Sequence, residues 1–207
     1  MRNKVMIAVP NLGHLHVNLV ERILRWHLTG GSYETITLLA PRGIQPHDAA
    51  RNYCVQAFLQ TDFTHLFFLD SDVIPPLEAL NALLDADKDI IAGLYPAMKF
   101  RENRQIKEMC VYNRIGYAQT DGSSEYRLEE AHGSGVQEID CAGTGCLLIK
   151  REVFEKLAPP HFQFLYTEKG LSAVGEDINF CRKATEAGFK IYAHFGIICQ
   201  HAKEILL

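Results

Sequence analysis

The hydrophobic period changes repeatedly over the first 95 residues. In "KVMIAV" (residues 4–9) apolar residues run almost unbroken, as in a buried strand. "HVNLVERILRWHLT" (16–29) then carries a helical stripe through Val17, Val20, Ile23, Leu24 and His27, and Gly30-Gly31 supply the stop. "YETITLLA" (33–40) alternates as a strand does, "HDAARNYCVQAFLQ" (47–60) is helical, and "HLFFL" (65–69) is an apolar run of strand length. "PPLEALNALLDA" (75–86) predicts a helix opened by proline, and "DIIAGLY" (89–95) a further strand. Strands separated by helices predict an α/β fold with a mostly parallel central sheet flanked by helices.

The rhythm breaks after Tyr95. From Pro96 to Gly135 the chain is polar and turn-rich and reads as irregular, with a hairpin turn expected at "TDGSSE". "VQEID" (136–140) and "GCLLIK" (145–150) follow, then the helix "REVFEKLA" and a Pro159-Pro160 break. "EDINFCRKATEA" (176–187) is a helix stopped at Gly188, and "KIYAHFGIICQH" (190–201) is one or two strands. There is no internal repeat, low-complexity tract or evident linker, so one domain over 1–207 is expected.

Composition narrows the function. The chain has 207 residues, 47% of them hydrophobic, with a net charge of -4 and a pI near 6.1. No basic stripe is present to offset a phosphate backbone, so nucleic acid is not an expected partner. No apolar run approaches the roughly 20 residues of a bilayer span, and the N-terminus reads as a first strand rather than a signal peptide. Cys54, Cys110, Cys141, Cys146, Cys181 and Cys199 form no CxxC pair, and several lie in apolar segments. That usage predicts a reduced, cytoplasmic protein. Cys199 lies two residues before His201, which leaves a zinc site open, though no second ligand pair stands at zinc spacing.

The candidate chemistry begins at "HLFFLDSDVIPP" (65–76). Ligands of open α/β sheets sit beyond the carboxyl ends of the strands, and "HLFFL" ends at Asp70. Asp70 and Asp72 share a side on extended backbone, and two carboxylates brought together repel unless a cation joins them. Their hard oxygens suit a divalent metal, which can bridge a diphosphate and neutralise it as it leaves. The plainer reading is a turn, with Asp72 helping to cap the next helix. Glu176 and Asp177 open the helix after Gly175, either to complement its dipole or to supply a general base. His201 follows an apolar strand. It is either packing or the imidazole that completes a metal site and favours manganese.

Taken in order, these segments resemble the GT-A fold glycosyltransferases, the nucleotide-diphospho-sugar transferases, and within them the family 2-like enzymes. The matching pieces are "IAVPNLG", Ala50-Arg51-Asn52, "FFLDSDVIPP", "AGTGCLLIKREVF", "GEDINFCRKATEAGFKI" and the final histidine strand, which together cover most of the chain. The resemblance implies metal-dependent transfer of a sugar from a nucleotide-diphosphate sugar to an acceptor hydroxyl, with inversion at the anomeric carbon by direct attack. It implies a nucleotide-binding half (1–95) and an acceptor and metal half (96–207). Pro10 and Asn11 would shape the loop around base and ribose, and Arg51 and Lys99 would support the nucleotide. Asp70 would face the ribose or the metal, and Asp72 and His201 would hold the metal, Mn²⁺ favoured and Mg²⁺ possible. Gly143, Thr144 and Gly145 would line the acceptor side. Asp177 would be the base, with Glu176 as the alternative.

The sequence departs from the pattern at "LLAPRG" (38–43), where many relatives carry an acid that reads the base. The chain also stops soon after His201, which implies that further acceptor-binding parts are missing or come from a partner. Two other readings compete. A haloacid dehalogenase-type phosphatase also places DxD after a strand, but usually on the first one, and "GEDINF" lacks the second spaced aspartate of its other motif. A non-catalytic nucleotide-sugar-binding module could keep the fold and have lost turnover.

Overall fold

The computed structural model describes residues 3–101, 104–120, 123–170 and 172–202, with side chains described outside 98–106, 115–127 and 172–173. In chain order the elements are β1 (Asn3–Ala8), α1 (Val17–Thr29), β2 (Tyr33–Leu39), α2 (His47–Leu59), β3 (His65–Leu69), β4 (Val73–Ile74), α3 (Ala79–Asp85) and β5 (Ile90–Leu94). Then come β6 (Pro96–Arg101), β7 (Arg104–Met109), β8 (Val111–Thr120), β9 (Ser123–Glu130), β10 (Val136–Ile139), β11 (Cys141–Ala142), β12 (Cys146–Lys150) and α4 (Arg151–Lys156). The chain closes with β13 (Leu165–Tyr166), β14 (Ser172–Val174), α5 (Glu176–Glu186), β15 (Ile191–Ile198) and β16 (Gln200–His201).

A seven-stranded sheet of order β10-β15-β5-β12-β3-β1-β2 forms the centre. It is mixed, which corrects the expectation of a mostly parallel sheet. β1 pairs in parallel with β2 and β3, and β5 with β15, but β12 runs antiparallel to both β3 and β5, and β10 antiparallel to β15. The reversal matters for function. The start of β12, not its end, lies where β3 ends, with Cys146 opposite Leu69, so the Gly143–Gly145 turn meets Asp70.

Both faces of the sheet are covered, which is why β3, β5 and most of β12 are buried along their length. Adjacent β3 residues point to opposite faces. Phe67 meets Trp26 of α1 with centroids 5.9 Å apart, and Phe68 meets Phe162 edge-on at 5.4 Å. Phe162 stacks on Phe180 of α5, and Phe180 packs on Phe154 of α4, which meets Phe58 of α2. Arg151 ties these layers together by donating to the carbonyls of Phe63 and Leu59, the latter left open at the end of α2. Gly188 ends α5 with φ 92°. Its N–H donates to Thr185 and that of Phe189 to Ala184, the paired bonds that a left-handed residue allows after a helix.

Two local expectations change. Pro75 and Pro76 do not open the third helix, which begins at Ala79 with the Ala79 N–H bonded to the Pro76 carbonyl. The stretch expected to be irregular after Tyr95 forms two antiparallel ribbons, β6·β7 and β8·β9. The second closes within "TDGSSE", where Thr120 pairs with Ser123. Among the described residues no helix is long and apolar enough to cross a membrane.

Candidate functional site

Strands β1, β3 and β5 end at one edge of the sheet, and the turn into β12 starts there. Asp70-Ser71-Asp72 follows β3 at this edge, and its backbone is held from three sides. The Asp70 N–H donates to the Gly145 carbonyl at 3.1 Å, the Ser71 carbonyl accepts from His16 at 2.9 Å, and the Asp72 carbonyl accepts from Ala202 at 2.8 Å. The turn closes on itself through the Val73 N–H and the Asp70 carbonyl. A loop fixed from separate elements can present its side chains in one geometry.

His201 reaches the same turn through a short ribbon in which it lies opposite Val73. Its Nδ1 lies 2.5 Å from the Pro96 carbonyl, which can only accept, so Nδ1 carries a proton. Nε2 then points at Asp72 Oδ2, 3.1 Å away. Nε2 as a lone pair and a carboxylate oxygen make two acceptors facing each other, which a proton or a shared cation must reconcile. Ion–donor bonds of about 2.0–2.1 Å at right angles put neighbouring donors roughly 3 Å apart, so the pair fits two adjacent positions around an octahedral ion. Among the described residues no cluster of three or more His, Cys, Asp or Glu ligands occurs. Two protein donors suit an ion whose remaining positions are filled by water and phosphate.

Asp70 faces a different partner. Its Oδ1 lies 3.3 Å from Arg51 of α2, and Arg51 also donates to the Glu176 carboxylate at the start of α5. Arg51 and Glu176 are both buried, whereas the Asp70 side chain is 37% exposed. Burial alone would lower the Arg51 pKa, but Asp70, Glu176 and Asp177 outweigh it and raise the pKa above its ordinary value. The structure thus commits Glu176 to Arg51. Asp177 is the freer acid: its Oδ1 accepts only from the next N–H, that of Ile178, among the bonds described. Burial, then the charge of Glu176, push the Asp177 carboxyl up to about 6 against the pull of Arg51.

A cavity of about 320 Å³ adjoins the Arg51–Asp70 and Asp72–His201 pairs, lined by Pro10, Arg51, Asp70, Asp72 and His201 among others. Asn11 also borders it, but its side chain is spent on the backbone: it donates to the Val9 and Pro41 carbonyls and accepts from Gly13. It joins the loops after β1 and β2. His14, Gln45 and His47 line the same cavity and carried no signal in the sequence beyond their place in these loops.

Gly143, Thr144 and Gly145 are buried rather than open to the cavity. A Cβ at Gly143 would lie 2.2 Å from the Tyr95 hydroxyl, and one at Gly145 2.6 Å from Tyr95 Cζ and 2.8 Å from Asp70 Oδ2. The glycines therefore serve a close approach to Tyr95 and Asp70. Lys99 lies in β6 opposite Ile106, and its side chain is outside the described residues. Tyr95 is the residue that sequence reasoning passed over. The available signal was a tyrosine ending an apolar strand, whose buried hydroxyl must find a partner.

No family profile matches the chain, and no curated protein sequence matches it. Solved structures do. A197 from STIV aligns with a TM-score of 0.65 and 20% identity over 97% of this chain and 86% of that one. GalNAc-T7, solved with UDP, GalNAc and Mn²⁺, aligns with a TM-score of 0.57 and 13% identity over 98% of this chain and 43% of that one. At these identities the likeness speaks for architecture, and it supports a GT-A-like α/β fold for the chain.

Proposed function

We propose that the chain is a metal-dependent glycosyltransferase that moves a sugar from a nucleotide-diphosphate sugar to an acceptor hydroxyl, with inversion. The observation that carries this reading is the convergence of the Arg51–Asp70 pair and the Asp72–His201 pair on one cavity at the carboxyl edge of the sheet. Asp72 and His201 would hold the ion, Mn²⁺ favoured by the imidazole, and the ion would offset charge on the departing diphosphate. The likeness to GalNAc-T7, whose structure holds UDP, GalNAc and Mn²⁺, is in keeping with that donor and metal class.

The chain's own residues divide the remaining work. Pro10 and Asn11 shape the loop on the base side of the cavity. Arg51, fixed by Glu176, aims its other arm at Asp70, which orients the ribose. Asp177 takes the proton from the acceptor hydroxyl as that oxygen attacks. A carboxyl with a pKa of about 6 is ionised at neutral pH yet more basic than an ordinary aspartate, which suits it to this task. Gly143–Gly145 act by holding the turn against Tyr95, so that contact with the acceptor falls to neighbouring residues.

The test is incubation with Mn²⁺ and a panel of nucleotide sugars, following release of nucleoside diphosphate. One donor should be hydrolysed slowly in a Mn²⁺-dependent way, and Asp72→Ala should abolish the release. If no donor is bound or hydrolysed, and Asp72→Ala behaves like wild type, the reading fails.

A further inference from the structure

We infer that Tyr95 is a positioning residue that holds the two sides of this site in register, its ring setting His201 and its hydroxyl setting Asp70. The inference rests on the metal-dependent reading above. Tyr95 directly follows β5 at the sheet edge and is buried. Its ring meets the His201 imidazole edge-on, with centroids 5.7 Å apart and planes at 81°. The next residue, Pro96, provides the carbonyl that receives the His201 Nδ1 proton. Two consecutive residues thus fix the tilt of the imidazole and the nitrogen that carries hydrogen, and leave Nε2 aimed at Asp72.

The hydroxyl acts on the other side. It accepts from the Gly145 N–H at 3.1 Å, and the carbonyl of that same glycine accepts from the Asp70 N–H at 3.1 Å. The glycines at 143 and 145 leave room for the phenol and for nothing larger beside it. Burial, and then the charge of Asp70, push the phenol well above its ordinary pKa, so it stays neutral. Phenylalanine would keep the ring and lose the acceptor. Leucine would lose both. The two tasks can therefore be separated.

The experiment measures Mn²⁺ binding by electron paramagnetic resonance, with the nitrogen modulation of a coordinated imidazole as signature and His201→Ala as control. Tyr95→Leu should weaken Mn²⁺ binding by about tenfold or more and diminish the nitrogen modulation, in the range of supporting residues around metal ligands. Tyr95→Phe should keep Mn²⁺ affinity and modulation near wild type, yet bind uridine or guanosine diphosphate with Mn²⁺ several-fold more weakly than wild type. A folded Tyr95→Leu that binds Mn²⁺ like wild type overturns the inference. So does a Tyr95→Phe that binds both diphosphates like wild type, which decides the matter if Tyr95→Leu does not fold. Wild-type protein that binds no Mn²⁺, or binds it without nitrogen modulation, instead overturns the metal-dependent reading.

Discussion

Replacing Arg51 with methionine removes a charge but keeps much of an apolar stem, in a place where the charge has a buried partner. The Arg51 and Glu176 side chains are 8% and 10% exposed, and they join α2 to α5 across 125 residues of sequence. Removing one member of a buried pair leaves the other uncompensated, at a cost of about 3–5 kcal/mol. The Asp70 arm is screened by water and adds less than about 1 kcal/mol. Against a total stability on the order of 5–15 kcal/mol, Arg51→Met should lose a large share. Trp26, the single tryptophan, is buried in the core and reports unfolding by its fluorescence in a urea titration. The midpoint should fall with little change in slope. Arg51→Met/Glu176→Gln should recover part of the loss, because a neutral amide costs less to leave buried than a carboxylate. A loss below about 1 kcal/mol, or a double variant no more stable than Arg51→Met, would refute the reasoning.

Transfer should rise with pH through about 6 and level off, and Asp177→Asn should abolish it while nucleoside diphosphate binding persists. The same group bears on stability. Its folded pKa lies above the ordinary 3.8, so the stability its proton contributes is fully present below that value and is lost as pH rises through about 6. Thermal melts should therefore show Asp177→Asn at least as stable as wild type at pH 7.5, and an Asp177→Asn that melts well below wild type there would contradict this account. Gly145→Ala puts a methyl group 2.6 Å from the Tyr95 ring and 2.8 Å from Asp70, which should cost about 1–3 kcal/mol in denaturant titrations. An unchanged midpoint would mean that the turn yields freely.

Local periodicity made the helices and strands of the first half legible, because each apolar face has a period set by its own backbone. "HLFFL" is β3 to the residue. The direction of "CLLIK" was not legible: a strand buried on both faces has the same composition whichever way it runs, and only pairing with β3 and β5 reverses it. The ribbons after Tyr95 were hidden because their polar, turn-rich sequence carries no sustained alternation of period two. At the site, the residue types were legible and their partners were not. The motif that offers Glu176 and Asp177 as alternatives does not say that Arg51, far off in the chain, takes the first and leaves the second. Likewise the glycines of "GTG" announce a close backbone approach, but not that Tyr95 and Asp70 are what they approach.

The central claim is that Asp72 and His201 bind an ion together with the diphosphate of a donor. Calorimetric titration of the protein with uridine and guanosine diphosphate, each with and without Mn²⁺, tests it most directly. The account predicts that at least one diphosphate binds with Mn²⁺, that chelating the metal weakens it, and that Asp72→Ala and His201→Ala each lose the metal-dependent part. Binding that is indifferent to Mn²⁺ and to both substitutions, or no binding of either diphosphate, would contradict it.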